Sequence, residues 1–170
     1  LLDISADSDG AVVYTSVKGA KEALGASSPH AAALWPMVAV GEKKYYFSAM
    51  FAALTAYTDA NNADVPYESP SNKDLRITAT VLKDGTTVAL DQQQADDVLN
   101  ANGVITAVNA DGFKSWGNNT AAYPSTTDPK DRWWAVRRFF DWDGNNFIRT
   151  YFQKVDKPGN KRLIQSIVDS

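Results

Sequence analysis

The sequence predicts a mixed fold, an α/β portion running into an α+β portion, and three observations carry that prediction. Strand-like and helix-like stretches alternate over the first sixty residues, the order expected of a sheet covered by helices. Two β-branched runs (Ile77, Thr78, Thr80, Val81 and Thr86, Thr87, Val88) flank Asp84-Gly85, a pair favoured in tight hairpin turns. Finally, Leu99 to Thr120 closes a helix on Asn102-Gly103 and continues as Val104, Ile105, Thr106 and Val108. It turns at Asp111-Gly112 and returns through Phe113 and Trp116 to a polar Gly117-Asn118-Asn119-Thr120 cluster.

Taken in order, Leu1-Leu2-Asp3-Ile4 reads as the tail of a buried strand, so the chain is expected to be a piece of a longer one. A short helix follows, with Ser16 as N-cap, Ala20, Ala23 and Leu24 at helical spacing, and Gly25 as the stop. Ala31 to Val40 is almost wholly apolar and predicts one strand buried on both faces, with Pro36 marking an edge or kink, and Gly41 to Lys44 its turn. Tyr45 to Asp59 predicts a helix capped by Ser48 that presents Met50, Phe51, Leu54 and Tyr57. The Asn- and Pro-rich stretch from Asn61 to Asn72 is the best candidate for a domain boundary.

Asp91 with Gln94 forms a capping-box pair for a helix through Ala95, Val98 and Leu99. Ala121 to Lys130 is a loop. Asp131 to Phe140 alternates in a way that predicts a strand, with Trp134, Val136 and Arg138 on one face and Trp133, Ala135, Arg137 and Phe139 on the other. Beyond Gly144, Phe147, Ile148, Tyr151, Phe152 and Val155 form a helical stripe that Lys157-Pro158-Gly159-Asn160 ends. A last amphipathic helix carries Leu163, Ile164, Ile167 and Val168 and is cut off at Ser170.

A net charge of −3 argues against a general nucleic-acid binder, but the charge is unevenly placed. Residues 1–129 hold 8 Lys+Arg against 15 Asp+Glu, and residues 130–170 hold 9 against 5, giving −7 and +4. The basic end suits an acidic partner. No cysteine is present, which excludes disulfides and thiolate metal sites. No apolar run approaches the roughly 18–20 residues of a membrane-spanning helix.

Candidate chemistry is thin. The single histidine, His30, stands outside any Gly-x-Ser-x-Gly elbow, so a structural or surface role is expected. Asp141-x-Asp143-Gly144-Asn145 begins like a calcium loop, yet its Gly falls at position 4 and Phe152 stands where a bidentate Glu belongs, so a helix N-cap is the expected role. Trp133, Trp134 and Trp142 beside Arg132, Arg137 and Arg138 suit either a stacking platform or buried rings with snorkelling arginines, the latter favoured by the spacing. Asn118-Asn119-Thr120 is formally a glycosylation sequon without a signal peptide to deliver it. There is no Gly-rich phosphate loop, and no pair among the 20 acids stands out as a general acid and base.

The assembled order is more specific than any one motif. Leu34-Trp35-Pro36, the Ala-rich helix ending Tyr57-Thr58-Asp59, Ser69-Pro70-Ser71-Asn72 and the hairpin come first. Leu99-Asn100-x-x-Gly103-Val104, Asp111-Gly112-Phe113 and Trp116-Gly117-Asn118-x-Thr120 continue the series. Arg137-Arg138, Val155-Asp156-Lys157-Pro158 and Leu163-Ile164-x-x-Ile167-Val168-Asp169 complete it. From about Ala31 onward this order resembles the tail sheath proteins of contractile phage tails and their bacteriocin relatives, with one visible departure: Asn119 stands where the family usually carries Arg.

The resemblance implies that residues 1–74 are the end of a subtilisin-like α/β domain. Residues 75–170 would be most of the conserved α+β domain on the tube side, with a β-hairpin and packed helices, ending before the C-terminal arm. It implies a structural subunit that polymerises helically around a tail tube and contracts to drive it through a bacterial envelope, with no catalytic residue, cofactor or metal. The implied partners are other sheath subunits, the tail tube protein, the baseplate and the tail terminator, with neither nucleic acid nor direct membrane insertion. The implied place is the tail of a virion or phage-tail-like particle assembled in the bacterial cytoplasm. Set beside the charge asymmetry, it nominates Lys161 and Arg162 as tube contacts. The alternatives are a hydrolase using paired carboxylates and a carbohydrate-binding module using Trp133 or Trp142.

Overall fold

The computed structural model describes every residue except Pro158 and Ser170, and leaves out the side chain of Gln153. Of the predicted helix stop Lys157-Pro158-Gly159-Asn160 only Pro158 lies outside the described residues, and the α-helix has already ended at Tyr151, with a 3-10 turn over Phe152–Lys154; the predicted cut at Ser170 lies outside the described residues. The fold combines strands and helices as an α+β arrangement built on two sheets. In the first, β1 (Leu2–Asp3), β2 (Ala33–Leu34) and β6 (Val104–Asn109) run parallel, and β7 (Phe113–Trp116) returns antiparallel to β6. In the second, β3 (Met37–Val40) lies between β4 (Lys43–Tyr45) and β5 (Ala79–Val81), all antiparallel. Both sheets therefore draw strands from each side of residue 74.

The apolar run Ala31 to Val40 is not one strand but two, and each belongs to a different sheet. Ala33 and Leu34 sit between β1 and β6, Trp35 donates its backbone N–H to the Ile105 carbonyl at 3.1 Å, and the chain then leaves the sheet. Pro36, after a cis bond, has no N–H with which to continue that ladder, so the pairing ends there. The expected burial holds for most of the run, with Ala33, Leu34, Trp35 and Val38 fully enclosed, but Ala31 and Met37 are half-buried and Val40 is exposed. Two cores result, one around Trp35, Val17, Leu99 and Val104, the other around Leu34, Phe47, Phe51 and Ile105. Successive residues of β6 feed opposite cores because side chains alternate across a strand.

The helices depart from expectation mainly at their caps and faces. In α1 (Val17–Ala23) the Ser16 side chain does not cap; its hydroxyl donates to the Val13 carbonyl at 2.8 Å, and Lys21, rather than Leu24, turns inward. The helix α2 (Phe47–Asn61) is capped from a distance: Asp3 Oδ1 in β1 accepts from the Ser48 N–H at 2.9 Å, so Ser48 is capped rather than capping. Its inner face is Phe47, Phe51, Thr55 and Thr58, and Tyr57 is 67% exposed. The two threonines are tolerated inside because each hydroxyl donates to the carbonyl four residues back, at 2.7 and 2.9 Å.

The Asp84-Gly85 turn forms, with Leu82 N–H on the Thr86 carbonyl and Val88 N–H on the Thr80 carbonyl, both at 2.8 Å. Its second arm, expected as a strand, contributes only a bridge between Val81 and Thr87. The capping box of Asp91 and Gln94 is complete in both directions, at 2.7 and 3.2 Å, and starts α3 (Gln92–Gln94). A π-helical turn over Ala95–Leu99 and a 3-10 turn over Asn100–Asn102 carry the chain to Gly103, whose φ of +67° ends the helix. From there β6, the Asp111-Gly112 turn and β7 follow as read, with positive φ at both turn residues.

The largest correction concerns Asp131 to Phe140. After α4 (Pro129–Arg132), Trp133 alone is extended, bridging Asn119, and Trp134 starts α5 (Trp134–Tyr151). The alternation of aromatics and arginines is a coincidence of spacing. At helical period, Trp134, Arg138 and Asp141 share the face that meets the body. Asn118 Oδ1 accepts the Ala135 N–H at 3.1 Å and supplies a cap from a segment sixteen residues earlier than the helix start, which local pattern cannot reveal. The helix α6 (Lys161–Val168) forms as predicted, with Asn160 capping Leu163 N–H at 2.9 Å.

Candidate functional site

The side chains that distinguish this fold chemically gather where α5 leaves the body. Arg137 lies between two carboxylates, reaching Asp131 at 3.2 Å and Asp141 at 2.7 Å. Asp141 also lies 3.0 Å from His30 Nδ1. Burial works against the Asp141 charge, but the His30 hydrogen bond and the Arg137 guanidinium outweigh it and hold the carboxyl below its ordinary range. The hydrogen bond from Arg137 to Asp141 in turn raises the guanidinium further. Arg138 pairs with Asp59 of α2, and Arg132 lies between the rings of Tyr123 and Trp133, 4.3 and 4.2 Å from their centroids. Paired and stacked arginines of this kind hold elements together.

The nominated residues fall into place around that root. His30 has the surface role expected of it and meets Asp141. Asp141 does not cap a helix, since α5 is already two turns old when it reaches Asp141; it is an ion-pair partner instead. Trp134 is buried, whereas Trp133 and Trp142 are half-buried, the first covered by Arg132 and the second stacked on Phe139. Asn119 is buried, donating to the Asn100 carbonyl at 2.8 Å and accepting from Arg132 Nε at 3.2 Å, and Thr120 is wholly enclosed. The sequon thus serves packing. A guanidinium does meet position 119 here, provided by Arg132.

Beyond the root the surface changes character. Phe147, Ile148, Phe152 and Val155 are 60–71% exposed, and α6 presents Ile164, Ile167 and Val168. The expected stripe is therefore real as a pattern and open to solvent. Lys161 and Arg162 open α6, both exposed. Cations at a helix N-terminus oppose the helix dipole, so their placement gains nothing locally. Among the described residues no group of three His, Asp or Glu side chains is placed to hold a metal, and no helix is long and apolar enough to cross a membrane.

Two features escaped sequence reasoning. Lys21 is buried, with its ammonium donating to the carbonyls of Asn102 and Tyr123 at 2.6 and 2.8 Å. A groove of about 600 Å³ between α2 and residues 68–76 is lined by Met50, Leu54, Tyr57, Glu68, Lys73 and Leu75. No local signal pointed to either: Lys21 sits between Ala20 and Glu22 in a stretch that reads as an ordinary exposed helix position.

No protein-family model matches the chain. A tail sheath protein of Burkholderia phage BcepMu is 34% identical over 106 residues, covering 60% of this chain and 22% of that protein. Among solved structures, a contracted sheath complex of the extracellular contractile injection system PVC aligns over 97% of this chain at TM-score 0.76 and 17% identity. The chain shares the fold of contractile sheath subunits. The baseplate structure of the anti-feeding prophage matches at TM-score 0.69 over 90%, and its contracted helical sheath at 0.66 over 91%, with 20% and 22% identity. The chain spans 44–48% of the length of these sheath-fold structures and about a fifth of the phage protein.

Proposed function

We propose that this chain is the part of a contractile tail sheath subunit that polymerises around a tail tube and moves with it on contraction. The observation that carries the reading is the match of nearly the entire chain to a contracted sheath complex, joined to 34% identity with a phage tail sheath protein. Energy stored in the assembled sleeve would then drive contraction without nucleotide, as a two-state mechanical transition. The chain acts as a structural part and not as an enzyme. Neither the hydrolase nor the carbohydrate-binding alternative gains support from these likenesses.

In this reading residues 1–74 come from the subtilisin-like α/β portion and residues 75–170 from the conserved tube-side portion, up to the C-terminal arm. Its partners are further sheath subunits, the tail tube, the baseplate and the terminator, within a phage tail or tail-like particle assembled in the bacterial cytoplasm. Lys161 and Arg162 face the tube. Immunogold electron microscopy tests the reading: antibodies raised against this chain should decorate the sleeve of contractile particles from the encoding organism along its whole length. Label confined to the baseplate, or absent from tails, overturns it.

A further inference from the structure

Among the described residues, α5 enters a hydrophobic core at its first turn, through Trp134. Its buried residues are Trp134 and Ala135, and from Asp143 to Thr150 every residue but Asn146 is exposed. Between these stretches the helix meets the body through charged side chains. Arg138 reaches Asp59 near the end of α2 with two bonds, one of them Nη1 to Oδ1 at 3.2 Å, and the two side chains are 18% and 19% exposed. Three residues on, Asp141 meets His30 in the loop before β2. Arg137 is different: it pairs with Asp141 within α5 and with Asp131 across Trp133, a bond that limits how far the joint can bend without anchoring the helix to the body. The joint is Trp133, extended at φ −88° and ψ 121° between the two helices.

We infer that α5 is a lever pivoting at Trp133, held in its observed orientation by two polar tethers, Arg138–Asp59 and His30–Asp141, whose release tilts the helix as a rigid rod while both cores stay packed. The His30–Asp141 contact is exposed and individually weak, whereas the two-bond, partly buried Arg138–Asp59 pair is the stronger and more directional of the two, so together they fix the angle of the helix. An 18-residue helix is about 27 Å long, so a tilt of about 10° at the root moves its far end by about 5 Å. The face opposite the tethers carries Val136, Phe140 and Phe147, all exposed. The inference does not depend on the sheath reading.

The chain has no cysteine, so Glu42→Cys and Thr150→Cys accept spin labels cleanly, one on the β3–β4 turn and one near the far end of α5. Double electron–electron resonance on this pair should give one narrow distance distribution. Adding Asp59→Asn with His30→Gln should shift its mean or widen it by about 5 Å. Lys83→Gln, which removes the unrelated Lys83–Asp7 pair, should leave it unchanged. A tether variant whose distribution superimposes on the parent overturns the lever, as does a parent already as broad as the variant. Should the double variant lose its helical circular dichroism, His30→Gln alone, at an exposed site, must still widen the distribution, and an unchanged one overturns the inference.

Discussion

Lys21 places its ammonium against two carbonyl oxygens, and the Glu22 carboxylate offsets its burial only in part. Burial pushes its pKa down to about 8, because hydrogen bonds to neutral acceptors replace only part of the lost hydration. The folded state then binds fewer protons than the unfolded one between about pH 8 and the unfolded value of 10.5. The penalty is fully present below pH 8 and is relieved as pH rises through that window, a swing on the order of 3 kcal/mol. Chemical denaturation of the parent and of Lys21→Met across pH 7–10.5 checks this. The parent should gain stability relative to the variant as pH rises, and a flat difference removes the buried-charge account. Gly103 stands beside the same ammonium. A Cβ there would meet the Thr120 carbonyl at 2.7 Å and Lys21 Nζ at 2.8 Å, besides the Tyr123 carbonyl, while Gly25, at nearly the same positive φ, has open space. Gly25→Ala should cost about 1 kcal/mol for its backbone alone, and Gly103→Ala at least about 2 kcal/mol more, measured by urea unfolding.

At the scale of elements, the local signals that held are those complete within a few residues. The Asp91–Gln94 box, the Asp84-Gly85 and Asp111-Gly112 turns and the Gly103 stop each satisfy backbone groups with neighbouring side chains or a permissive φ. The readings that failed depend on distant partners. The cap of α5 comes from Asn118 and that of α2 from Asp3, and the break at Pro36 separates strands whose neighbours are β6 and β5. The Asn61–Asn72 loop reads as a boundary, yet Asn72 N–H bonds the Ser115 carbonyl and Leu75 N–H the Phe113 carbonyl, both at 2.7 Å. Limited chymotrypsin cleavage at Tyr67, 60% exposed, should therefore give two fragments that co-elute on native gel filtration and part only in denaturant. Fragments that separate natively would show two independent bodies.

At the scale of the molecule, the uneven charge and the uneven burial coincide. The basic segment of residues 130–170 is also where apolar side chains are left open, a combination suited to a surface completed by an assembly. If Lys161 and Arg162 face an acidic tube, Lys161→Glu with Arg162→Glu should weaken co-sedimentation with purified tail tubes by tenfold or more at low salt and flatten its salt dependence. Binding that is unchanged in both respects removes these residues from the interface.

The sequence by itself determined the mixture of strands and helices, the tight turns, the resemblance to sheath proteins from Ala31 onward and the scarcity of chemistry. All of these follow from local spacing or from the order of motifs. In the Leu99–Thr120 stretch the strands and turn were legible, while the reason Asn119 and Thr120 are buried was not. Only the tertiary structure decided that Asp131–Phe140 is the end of one helix and the start of another joined at an extended Trp133, that Lys21 is internal, and that α5 stands on the body by Arg138, Asp141 and His30. Each of these rests on partners between 17 and 111 residues away, and a period read along one segment carries no information about them.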